Sequence, residues 1–143
     1  MMRNYKRFLS LAGAALLLSS AHAAQLACPP SLPADVIQLN KTPDDWRFFA
    51  EAPMYLHSAA PITGPPETRG HLKEDSASQR HGIWTYTYNL DGPYPNGKWM
   101  QCGYGEHDEM TLSKRIADHI SVCVITYNKA TKTSQQQIQI NCR

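Results

Sequence analysis

Apolar residues recur at every second position along much of this chain, which is the pattern of strands with one buried face. In 82–90, Trp84, Tyr86 and Tyr88 alternate with threonines, so the aromatic side chains are expected on one face. In 119–127 apolar residues occupy both sets of positions, which favours a strand buried on both sides. The other strand candidates are 35–40, 53–58, 98–104 and 135–142.

Residues that favour turns separate these segments, which indicates antiparallel strands joined by short connections. Asn96-Gly97 predicts a hairpin between 83–90 and 98–104. The polar segment 74–82 and the segment 128–135 are expected to be loops. The pattern therefore predicts an all-β, mainly antiparallel fold, either a small β-barrel or a sandwich.

One segment, 42–52, has the composition of a short helix. Asp44 or Asp45 would cap its start, and Pro53 would end it. We expect Trp46 in this segment, like Trp84 and Trp99 in the strands, to contribute mainly to core packing.

The first residues have the organisation of a secretory leader. Three basic residues precede the short apolar run 8–18, and Ala21-His22-Ala23 follows as a cleavage site. This predicts a signal peptide at 1–23, cut after Ala23, and a single exported domain at 24–143 in the periplasm. The run is shorter than the roughly 20 residues that cross a bilayer, so no stable membrane insertion is expected. The alternative is lipid attachment at Cys28. It would leave three cysteines, an odd number that cannot all form disulfides within the chain.

Removing the leader changes the charge of the protein. The full chain has 14 Lys and Arg against 12 Asp and Glu, a net charge of +2. Cleavage removes three basic residues and no acidic one, which leaves 11 against 12 and a net charge of −1. A domain this close to neutral has no electrostatic feature that would attract nucleic acid.

Four cysteines remain in the exported domain, and an even number in an oxidising compartment indicates two disulfides. Three pairings of Cys28, Cys102, Cys123 and Cys142 are possible. We favour Cys28–Cys102 with Cys123–Cys142, because the second pair could lie across a terminal hairpin. The spacing of the cysteines and histidines does not match a structural zinc site.

The stretch Glu106-His107-Asp108-Glu109 is the part of the sequence most like a chemical site. Consecutive strand residues point to alternate faces, so only a loop could bring these side chains together. A charged cluster of this kind is usually the solvated tip of a hairpin, and contact with a partner is the next interpretation. We therefore predict partner binding by these four residues and Thr111, and no catalytic residue, metal ligand or cofactor.

The order of several landmarks resembles that of a family of small proteobacterial periplasmic proteins of unassigned activity. The landmarks are Cys28-Pro29, Trp46, "GPP" at 64–66, Trp84, "WMQCGY" at 99–104, "TLSKRI" at 111–116, "CVITY" at 123–127 and "INCR" at 140–143. That family is similar in fold to the membrane-bound and periplasmic lysozyme inhibitors (MliC/PliC), which are small antiparallel β-barrels.

The resemblance implies a protein that occludes the cleft of a lysozyme or another peptidoglycan hydrolase and has no catalytic activity of its own. The stretch 105–112 is the counterpart of the inhibitors' cleft-binding loop, with Glu106 and His107 where those proteins carry Lys. An acidic rim would steer docking to a basic lysozyme, so replacing Glu106, Asp108 and Glu109 by Ala should weaken that binding. The alternative is a non-catalytic accessory protein of the envelope with a different ligand.

Overall fold

The computed structural model describes residues 26–128 and 135–143. The predicted leader at 1–23 and most of the predicted loop at 128–135 lie outside these ranges. The strands are β1 (Ser31–Leu32), β2 (Met54–Thr63), β3 (Gly70–His71), β4 (Ser76–Arg80), β5 (Ile83–Asn89), β6 (Lys98–Tyr104), β7 (Met110–Ile116), β8 (Val122–Asn128) and β9 (Gln137–Cys142). The helical elements within the described ranges are two 3-10 turns, Ala34–Val36 and Pro66–Thr68. Neither these nor any other helix in this part of the chain is long and apolar enough to cross a membrane.

The strands form two antiparallel sheets, which confirms the predicted all-β class. The first sheet has the order β1-β2-β6-β7, with β3 also paired to β2, and the second has the order β4-β5-β8-β9. The Tyr127 hydroxyl of β8 joins the sheets, because it accepts from the Ala59 N–H at 2.9 Å and donates to the Ala59 carbonyl at 2.7 Å. The Gln136 N–H makes a second link to the Leu56 carbonyl at 2.8 Å.

The alternating residues of the central strands form the core between the sheets. The larger cluster includes Met100, Ile125 and Ile140. A second cluster consists of Leu32, Leu56, Cys102 and Tyr104. Burial raises the pKa of Tyr104 to about 12, and its hydroxyl donates to the Pro29 carbonyl at 3.0 Å.

Both disulfides have the favoured pairing. Cys28–Cys102 ties the N-terminal segment to β6 across 74 residues of sequence, and Cys123–Cys142 joins directly opposed residues of β8 and β9. From the chain-entropy relation, closing loops of this length stabilises the fold by about 4.5 and about 3.2 kcal/mol respectively, through restriction of the unfolded chain.

The hairpin predicted around Asn96-Gly97 is wrong. β5 pairs with β4 and β8, whereas β6 pairs with β2 and β7 in the other sheet. The turn itself forms, with Gly97 at a φ of 80° and its N–H bonded to the Tyr94 carbonyl, but it lies in a connection that crosses between sheets. Lys98, the first residue of β6, binds the connection between β7 and β8, because its buried ammonium group donates to the carbonyls of Asp118 and Ile120 at 3.0 and 2.6 Å.

The helix predicted at 42–52 is also absent, and the segment forms a turn followed by irregular backbone. Asp45 takes a φ of 66°, in the left-handed region, so the helical path is broken at the expected cap. The strand expected at 35–40 is missing as well. Its place is taken by the 3-10 turn after Pro33, in which Val36 is exposed, and by an irregular run in which Leu39 is exposed.

The segment 74–82, expected to be a loop, contains strand β4. Every residue of β4 is exposed, so the apolar alternation that identifies a half-buried strand is missing from its sequence. The strand pairs with β5 through a two-residue turn, in which His81 and Gly82 have φ values of 51° and 78°. These are the positive φ values that a tight hairpin turn requires at both central positions.

Candidate functional site

The acidic cluster predicted to bind a partner forms the connection between β6 and β7. Tyr104 and Met110 are the last paired residues of this hairpin, which leaves residues 105–109 as its loop, called here the acidic loop. Glu106, His107 and Glu109 are exposed, and Asp108 is half-buried. Thr111 is exposed on β7, two residues beyond the loop. The structure thus places the five predicted residues along one continuous stretch of surface.

Asp108 anchors the acidic loop to the first sheet. Its Oδ1 accepts a hydrogen bond from the Ser58 hydroxyl at 2.8 Å and lies 3.2 Å from His57 Nδ1. Both partners come from β2, where the register with β6 shifts between Leu56 and Ser58 and leaves His57 as an extra residue. A β-bulge of this kind redirects side chains, and here it brings His57 and Ser58 to the same carboxylate oxygen.

Two glycines at the end of β6 are required by this arrangement. A Cβ atom on Gly103 would collide with the Asp108 carboxylate and the Ser58 hydroxyl. Gly105 has a φ of 90°, and a Cβ there would meet the Glu109 carboxylate and Met54. Asp108 itself has a φ of 56°, a conformation that Asp tolerates better than most residues. The backbone of the loop is therefore determined by packing and hydrogen bonds and is formed before any partner arrives.

The tip of the loop carries negative charge. The backbone N–H groups of Glu109 itself and of His107 donate to the Glu109 carboxylate and lower the pKa of Glu109. The bond from the His107 N–H is 3.1 Å long, and His107 Nδ1 lies 3.6 Å from the other carboxylate oxygen. Glu109 is therefore ionised at neutral pH, next to the exposed Glu106.

The contact of Ser58, His57 and Asp108 does not have the geometry of a catalytic triad. In a triad the imidazole lies between the carboxylate and the hydroxyl, so that it can remove the hydroxyl proton. Here one carboxylate oxygen contacts both other groups, and the Ser58 hydroxyl donates to Asp108. Within 26–128 and 135–143, no three His, Cys, Asp or Glu side chains are grouped closely enough to hold a metal ion. The contacts of Ser58 and His57 with Asp108 hold the acidic loop in place, and the loop carries exposed carboxylates.

The exposure of the aromatic residues in the segment 46–49 was not predicted from the sequence. Trp46 and Phe49 were expected in a helix with Trp46 in the core, but their exposed fractions are 73 % and 82 %. The sequence carries no signal that distinguishes an exposed segment from the expected helix, because the three-residue spacing of Trp46 and Phe49 is also that of one face of a helix.

Comparison with known proteins identifies one family. The model of the family described as "Type VI secretion system Tli immunity protein" matches residues 51–143, which is well over half of the chain. The matched region extends from just before β2 to the C-terminus and includes the acidic loop. Neither the curated proteins nor the solved structures gave a significant match.

Proposed function

This chain belongs to the type VI secretion system Tli immunity protein family, whose members bind and inhibit a toxic effector, and we propose that it blocks a lipase-type effector enzyme in the periplasm. In this proposal the protein is not an enzyme. It acts by occupying a surface that the effector needs for its substrate, and the acidic loop forms part of the contact.

The observation that carries this proposal is a preformed, charged loop inside the family-matched region. Asp108, Ser58 and the β2 bulge fix the loop before binding. An interface built on a rigid loop loses less conformational entropy on association, so more of its interaction energy is retained as affinity. The exposed carboxylates of Glu106 and Glu109 fit a basic rim on the partner.

The two disulfides support a periplasmic location. Bonds of this kind form and persist in oxidising compartments and are rare in the cytosol. Together with the leader predicted at 1–23, they favour an immunity protein that meets its effector outside the cytoplasm. Mass spectrometry of the periplasmic protein tests this, because the proposal requires a chain that begins at Ala24 with no free thiols.

The inhibition itself is tested by titrating a purified lipase effector with the mature chain, residues 24–143. Hydrolysis of a chromogenic ester should fall in proportion to the added protein and stop near a 1:1 ratio. Replacing Glu106 and Glu109 together by Gln should weaken binding by roughly tenfold, mainly through slower association at low salt. Asp118→Asn, at an exposed acid in another turn, is the matched control. Full activity of the effector at excess chain would contradict the proposal.

A lysozyme-type hydrolase is the second candidate partner. It is supported by the resemblance of 105–112 to the cleft-binding loop of the lysozyme inhibitors, and by the position of this stretch in an exposed hairpin loop. A parallel titration of c-type lysozyme with the same variants separates the two candidates. Inhibition of lysozyme without inhibition of any lipase effector would favour the second.

A further inference from the structure

The segment between β1 and β2 exposes an unusual amount of apolar surface. We call residues 35–51 the aromatic strap. Its largest exposed apolar side chains are Val36, Leu39, Trp46, Phe48 and Phe49. Single exposed apolar residues are common on proteins, but a group within one short segment marks an interaction site.

The strap has a defined shape although it lacks regular structure. Its two arms, 35–39 and 48–51, face each other across a shallow groove. Ile37 packs on the second core cluster and fixes the first arm. At the far end a turn forms in which the Trp46 N–H donates to the Pro43 carbonyl at 3.1 Å. Trp46 and Phe49 are thus displayed on an ordered projection.

The strap and the acidic loop lie at the same end of the molecule. Met54, at the start of β2, follows the strap and packs close to Gly105 in the loop. Ile37 from the strap and Met110 from the end of the loop pack on the same core cluster as Met54. The base of the strap and the base of the acidic loop therefore pack on the same core cluster, which places apolar groups of the strap and acidic groups of the loop in neighbouring parts of the surface.

The charges of this surface indicate the kind of partner. Within the strap, four acidic residues outnumber two basic ones; they are Asp35, Asp44, Asp45 and Glu51 against Lys41 and Arg47. The loop adds the exposed carboxylates of Glu106 and Glu109. An anionic lipid surface attracts basic segments and repels acidic ones, so this charge disfavours a membrane. An acidic surface with exposed aromatic residues is instead complementary to a protein partner that has an apolar cleft bordered by basic residues.

We propose that the aromatic strap is the main docking element for the effector, with Trp46 and Phe49 entering the apolar cleft that takes the acyl chain of its lipid substrate. This rests on the proposed function, because only a lipid-hydrolysing partner must carry such a cleft. Aromatic anchors of this type dominate the binding energy of many interfaces. The strap lies almost entirely before the family-matched residues 51–143.

The test is a double variant, Trp46→Ala with Phe49→Ala, in the mature chain. Binding to a panel of purified type VI lipase effectors is measured by biolayer interferometry. For an effector that the unmodified chain binds, the double variant should bind at least about a hundredfold more weakly, as expected when two interface hot spots are lost. Ile83→Ala, at an exposed apolar residue of the second sheet, is the control and should bind normally. Thermal unfolding should be unchanged in both variants.

Three results would overturn the inference. The first is unchanged effector affinity in the double variant, which would leave the proposed function intact. The second is flotation of the unmodified chain with phosphatidylethanolamine and phosphatidylglycerol vesicles that depends on Trp46 and Phe49, without an effect on effector binding. The third is self-association that these substitutions abolish, again with effector binding retained. Failure of the unmodified chain to bind any lipase effector would instead overturn the proposed function, and this inference with it.

Discussion

Replacing Asp108 by Ala removes the side chain that holds the acidic loop against β2. The change deletes the acceptor of the Ser58 hydroxyl bond at 2.8 Å and the contact with His57 at 3.2 Å. It also places Ala at a φ of 56°, which Asp tolerates better. The variant should therefore be less stable and should bind its partner more weakly, although the half-buried Asp108 contacts β2 rather than the proposed partner.

The expected loss of stability follows from these contacts. A hydrogen bond to a charged group contributes about 1.5–3 kcal/mol. Asp108 and His57 are both more than a third exposed, so water replaces part of what is lost. This lowers the contribution of the Ser58 hydrogen bond to about 1 kcal/mol and that of the His57 pair to a few tenths of a kcal/mol. Adding about 1 kcal/mol for Ala in a left-handed conformation gives a total of about 2 kcal/mol.

Urea unfolding of Asp108→Ala measures this total, and Asp118→Ala is the control. Asp118 makes an exposed pair with Arg115 at 3.3 Å, so its loss should cost less than about 0.5 kcal/mol. Asp108→Asn keeps an acceptor and tolerates the backbone conformation, so it should lie between the two. Hydrogen exchange should also show faster opening of 105–110 in the Ala variant. Equal stability of Asp108→Ala and Asp118→Ala would refute the anchoring role.

Three further predictions concern the scaffold. Lys98→Met should destabilise the fold by about 2 kcal/mol in urea unfolding, because two carbonyls lose their buried donor. Tyr127→Phe should cost about 1–2 kcal/mol, since the N–H and carbonyl of Ala59 lose the hydroxyl that joins the sheets. Burial raises the pKa of both Tyr88 and Tyr104 to about 12 from 10.0, so their contribution to stability should be complete below pH 10 and be lost as the pH rises toward 12. Absorbance of phenolate during alkaline titration checks this, and ionisation of all tyrosines near pH 10 in the folded protein would contradict it.

The scaffold was largely predictable because its signals are local or are set by the compartment. Alternation in 119–127 reflects the burial of Cys123 and Ile125, and an even number of cysteines after a leader indicates disulfides. The pairing of the strands was harder to predict from the sequence. Asn96-Gly97 does form a turn, but whether the following strand joins the same sheet depends on long-range contacts, such as those of buried Lys98. Strand β4 could not be found by alternation, because both of its faces are in water.

Only those features of the site that follow from the folding of this chain could be predicted from its sequence. The charge and position of the acidic loop identified it as a hairpin loop, but its anchoring needs the β2 bulge, which no short sequence pattern specifies. The strap was missed for a different reason. Trp46 and Phe49 are largely exposed, so the packing of this chain does not constrain them, and their spacing suggests a helix that does not form. In the proposed interface they fill a cleft on the partner, so the pattern that explains them lies in the surface of that protein and not in this sequence.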